Sequence, residues 1–162
     1  MKLTILLFTF LFATNAEIEI IRQSYTDAAK SEESAKIFAE KVNSISDDDS
    51  NKVLVAYKGC SLTLKSKFSA NLVDKISFMK QGAKLIDEAA DAEPNNVEIR
   101  MIRLSVQENV PRIVNYRQNK DADKAFIIKH YKDLDADIKP FIKNFILQSK
   151  SFTPAQKKSV RA

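Results

Sequence analysis

Residues 82–111, GAKLIDEAADAEPNNVEIRMIRLSVQENVP, decide the architecture. They read as the end of one helix, a break at Pro94-Asn95-Asn96, and a second helix that begins at Val97 and is closed by Pro111. On a helical wheel Val97, Met101 and Leu104 share one face, while Ile99, Ile102, Val106 and Val110 share the opposite one. Two polar stripes run between these faces, one of Glu98, Ser105 and Asn109, the other of Arg100, Arg103 and Gln107. A surface helix buries a single apolar stripe, so a helix with two apolar faces belongs between layers and is accessible only along its edges.

The rest of the chain has the same helical character. Two glycines and four prolines leave few positions for tight hairpins, which favours helices joined by short connections. Apolar periodicity predicts a first helical region over 17–29 and 31–44, then helices over 52–65, 72–90, 97–110, 121–134 and 138–147. Ser31, Asp121 and Asp137 are the expected N-caps, and Thr153-Pro154-Ala155-Gln156 is a capping box that opens a short basic helix ending near Val160. Residues 46–51, SDDDSN, form a solvated linker; a calcium loop needs alternating oxygen ligands and a glycine at its bend, and both are missing. Gly59 in mid-helix costs about 1 kcal/mol relative to alanine, and close approach of a neighbouring backbone is the expected return. Leu72, Ile76, Met79, Ala83 and Ile86 give the next helix a wide apolar face. The expected fold is all-α, about six antiparallel helices in one domain over residues 17–162.

The spacing Gly82-x3-Ile86-x2-Ala89-x4-Pro94 resembles the second helix of a tetratricopeptide repeat, and NNVEIRMIRLS the first helix of the next unit. The resemblance covers residues 82–111; the chain has no tryptophan, no Leu-Gly-x2-Tyr in the preceding helix and no second copy at the repeat period. It implies one degenerate unit with flanking helices, hence stacked helical hairpins. An orthogonal helical bundle is the alternative arrangement.

Residues 1–16 read as a cleaved signal peptide. Lys2 supplies the positive start, LTILLFTFLF the apolar run, and Ala13-Thr14-Asn15-Ala16 the small residues at which a signal peptidase cuts. That run is too short for a permanent span, which needs about 20 residues. The chain is therefore expected to be exported, to a periplasm or the medium, with no integral membrane segment left after cleavage. A single cysteine forms no internal disulfide, so the fold must stand on packing alone. The net charge of +5 is interspersed rather than gathered on one face, which argues against nucleic-acid binding.

Little in the sequence carries chemistry. Cys60 beside Tyr57 and Leu64 reads as a buried inert thiol, and His130 among Phe126, Ile127 and Leu134 as a core histidine. With one of each, no metal site rich in those ligands is expected, and no cofactor motif occurs. The first expectation is a non-catalytic module binding a peptide or protein along a polar helical edge, with Arg100, Arg103, Gln107, Glu98 and Asn109 as candidate partner-binding residues. Arginine suits bidentate recognition of a carboxylate or phosphate; pairing with Asp87 or Asp91 of the adjacent helix is the internal alternative. The second expectation is a carrier of a lipid or small apolar ligand, with a cavity lined by Phe78, Tyr57 and Ile102. A hydrolase gathering His130 with a carboxylate is the third. Phe141, Ile142, Phe145 and Ile146 beside Lys139, Lys143 and Lys150 form an amphipathic helix that either touches an anionic membrane or closes the core.

Overall fold

Five of the helix starts are set by side chains that accept the first unpaired backbone N–H groups. The computed structural model describes residues 17–161; the expected signal peptide lies outside them. Eight α-helices and no strand occur among the described residues: α1 over residues 17–28, α2 Glu32–Val42, α3 Lys52–Phe68, α4 Leu72–Ala92, α5 Val97–Asn109, α6 Lys120–His130, α7 Lys139–Gln148 and α8 Pro154–Ser159. The chain is all-α. It has eight helices rather than about six; the division at Ser31 and the short capping-box helix, both within the expected boundaries, make up the difference.

Ser31 caps α2 as expected, accepting from the Ser34 N–H at 3.0 Å. Three asparagines, Asn51, Asn71 and Asn96, each accept two backbone N–H groups at the starts of α3, α4 and α5. The capping box at Thr153 and Gln156 is complete. Asp121 and Asp137 do not cap. α6 starts at Lys120, which puts Asp121 inside the first turn facing solvent and Lys124. α7 starts at Lys139, past Asp137, with Pro140 in its first turn. α6 also stops at His130, and a 3-10 turn, Tyr131–Asp133, carries the chain on.

α3 and α4 are antiparallel and touch backbone to backbone. A β-carbon built on Gly59 would sit 2.7 Å from the Gly82 carbonyl oxygen, and one on Gly82 would sit 2.5 Å from that of Gly59. Nothing larger than glycine fits at this crossing. Farther along, the Ser66 hydroxyl donates to the Lys75 carbonyl and Lys65 lies over the Phe78 ring, so the pair continues to the turn at residues 69–71.

α5 is the central element, packed against α3, α4, α6 and α7. Both of its apolar faces are buried. Tyr25 of α1 joins the core through edge-on or tilted contacts with Phe38, Tyr57 and Phe141, ring centroids 5.9, 5.4 and 6.1 Å away. α7 closes the core: Ile142 and Ile146 are fully buried, each worth about 1.5–3 kcal/mol of apolar burial. One continuous apolar cluster runs from Ile21 to Val160.

Candidate functional site

The polar edges of α5 are largely consumed inside the molecule. Glu98, on the first turn, accepts two hydrogen bonds from the Arg22 guanidinium of α1, at 2.8 and 2.7 Å, and a third from the Tyr57 hydroxyl at 2.6 Å. Burial and the Glu98 charge hold the Tyr57 hydroxyl well above its ordinary range, so it stays a donor. Ser105, one stripe position on, accepts from the Tyr25 hydroxyl at 2.6 Å. Asn109 is exposed and donates to the Ser105 carbonyl.

The opposite edge meets Asp123 of α6. Arg103 grips this fully buried carboxylate with two hydrogen bonds, at 2.7 and 2.8 Å, and Arg100 adds a third at 2.8 Å. Burial works against the Arg103 charge, but Asp123 outweighs it and the net shift is upward. Asp87 of α4, the partner named from sequence, lies 3.5 Å from Arg103. Arg100 also bonds the Pro94 carbonyl and lies over the Phe126 ring. Gln107 is fully buried, and its amide has no hydrogen-bond partner among the described residues. Of the five candidate residues, Glu98, Arg103 and Gln107 are therefore buried, Arg100 is half-buried and Asn109 faces solvent.

The concave feature lies elsewhere. A half-open cleft of about 1260 Å³ runs between α1, α3, α4, α5 and α7, at or above the ~300–1000 Å³ of small-ligand pockets. Cys60, Met79, Met101, Val106 and Val110 are among its buried side chains, and α7 adds Phe141 and Phe145. α4 presents Leu72, Ile76 and Ala83. The segment after α5 contributes Ile113, Val114 and Tyr116; Asn115 turns it through a left-handed conformation, and Tyr116 ties it to α4 by donating to Asp87 at 3.0 Å. Ile113, on this segment, is 93% exposed.

Charge around the cleft is lopsided. Lys67, Lys75, Lys80 and Lys150 line it against one acid, Glu108, which already accepts from the Ser149 and Ser151 hydroxyls. Phe78, Tyr57 and Ile102, the expected lining of a cavity, do not reach it: Tyr57 and Ile102 are packed solid, and Phe78 lies beneath Lys65. Leu72 and Ile76, expected in the core, face the cleft and solvent instead: α3 passes this end of α4 on the side of the Lys75 carbonyl and Phe78, and the side carrying Leu72 and Ile76 is left exposed. The i, i+4, i+7, i+11 stripe Leu72-Ile76-Met79-Ala83, flanked by Lys75 and Lys80, was the available signal. A stripe of that kind looks the same whether it faces a core or a groove.

No acid–base pair converges on the cleft. Burial pushes the Cys60 thiol up to about 12, which keeps it protonated and unreactive at neutral pH. His130 stacks on Phe126, ring centroids 4.2 Å apart, on α6 away from the cleft. Among the described residues no three His, Cys, Asp or Glu side chains are grouped to hold a metal ion, and no helix is long and apolar enough to cross a membrane. No family model, curated protein or solved structure matches the chain.

Proposed function

We propose that this protein is an exported, non-catalytic carrier that holds a lipid chain or another apolar ligand in the cleft between α4 and α7. One observation carries the reading: the 1260 Å³ cleft is lined chiefly by aliphatic, aromatic and methionine side chains whose burial would be completed by a ligand. The polar edge of α5, the other candidate, has most of its groups bound to Arg22, Tyr57 and Asp123, which leaves little for a peptide to grip. The tetratricopeptide-like spacing becomes, on this view, a packing rule: its small residue, Gly82, stands where α3 and α4 touch.

The test is titration of the exported protein with N-phenylnaphthylamine, a neutral apolar fluorophore. Saturable binding of one probe per chain is expected, displaced by a long-chain lipid. Ala83→Trp fills the cleft and is expected to abolish binding while leaving the helical circular dichroism intact. Absence of saturable binding, or undiminished binding by a folded Ala83→Trp protein, would overturn the reading.

A further inference from the structure

The first two turns of α4 meet α3 at Lys75 and Phe78 and are otherwise exposed. Every residue from Asn71 to Ser77 is exposed, among them Leu72 at 69%, Val73 at 73% and Ile76 at 48%. Scattered single aliphatics are ordinary on a protein surface, but three within five residues at one end of the molecule form a patch. Lys65, Lys67, Lys75 and Lys80 lie at the same end of the α3–α4 pair, and within residues 65–80 the only acid is Asp74. None of the four lysines is in an ion pair with any described residue. Two of them are held at this end: Lys65 lies 4.2 Å above the Phe78 ring, and Lys67 bonds the Ala29 carbonyl at 2.9 Å. Leu72, Ile76, Lys67, Lys75 and Lys80 also line the cleft, so the patch is part of its mouth.

We propose that the α3–α4 end docks on an anionic lipid surface. Leu72, Val73 and Ile76 enter the boundary between headgroups and acyl chains, and the four lysines meet the headgroup charges. Charge selects this occupant. A second copy docking through the same patch would set lysines against lysines, since a two-fold interface places a surface on itself. A membrane supplies both an apolar layer and dense negative charge. The docking surface does not depend on the cleft holding a ligand.

The test is co-sedimentation of the exported protein with phosphatidylcholine vesicles, with and without phosphatidylglycerol. Binding is expected only with phosphatidylglycerol and is expected to weaken as salt rises. Val73 and Lys65 do not line the cleft, so Val73→Asp plus Lys65→Glu is expected to cut vesicle binding by about tenfold or more, at roughly fivefold per lysine near such a surface, and to leave N-phenylnaphthylamine binding unchanged. Ala83→Trp is expected to do the reverse. Equal partition to both vesicle types, undiminished binding by the Val73→Asp, Lys65→Glu protein, or capture of a protein partner through this patch without vesicle binding would overturn the proposal.

Discussion

Glu98 shows what a buried charge does when three hydrogen bonds hold its two oxygens. Its carboxylate joins α1, α3 and α5 through Arg22 and Tyr57, residues 76 and 41 positions away. Replacing Glu98 with alanine leaves the buried Arg22 guanidinium with only the exposed Glu19 carboxylate, 3.5 Å away, and broken buried pairs cost up to about 3–5 kcal/mol. Urea denaturation of Glu98→Ala is expected to show a loss of that size, and a loss under ~1 kcal/mol would place Glu98 among solvated surface pairs instead. The sequence marked Glu98 and Arg103 as edge residues for a partner, with pairing to Asp87 or Asp91 as the alternative; Asp87 lies 3.5 Å from Arg103. Arg22 and Asp123 carried no local sign of their roles, because a partner that far away in sequence leaves no periodicity to read. The asparagine caps were visible as loop residues before each helix, although their role in starting α3, α4 and α5 needed backbone geometry.

At the scale of elements, the two-faced character of α5 was fully legible, since apolar residues on opposite sides of one wheel have only one economical place in a fold. Gly59 was legible too, as a glycine kept in a helix for close approach; its counterpart turned out to be Gly82. Gly82→Ala tests that contact. The substitution gains up to about 1 kcal/mol of helix propensity, but its methyl group would lie against the Gly59 carbonyl and Thr63, where overpacking costs typically about 1–3 kcal/mol. The expected net result is a lower urea midpoint, and a higher one would mean that α3 and α4 separate freely. The cleft was not legible, because a groove is a space between elements and depends on where each helix ends. The exposed start of α4 depends on which of its sides α3 passes, Ser66 and Lys65 meeting the Lys75 carbonyl and Phe78, and apolar pattern alone does not choose that side.

Across the whole molecule, the acids with the clearest shifts that stay protonated are Cys60, Tyr25, Tyr57 and Tyr116, all raised chiefly by burial. The unfolded chain releases these protons near 9.0 for the thiol and 10.0 for the phenols, while the folded chain retains them. Their contribution to stability is therefore complete below about pH 9 and is lost as pH rises beyond it. Alkaline titration followed by tyrosinate absorbance and helical circular dichroism is expected to show three of the four tyrosines ionising together with unfolding. Tyrosinate forming at ordinary pH in a still-helical protein would contradict this packing. The Gly59–Gly82 crossing has a mechanical consequence for the cleft. Two backbones in direct contact leave no side chain to rotate, so the α3–α4 wall behaves as a fixed jaw. The facing segment is tied to α4 at Tyr116. On the proposed carrier reading, residence time of a chain in the cleft would be set by how often that phenol tether lets go, making exchange a property of one hinge rather than of the whole bundle.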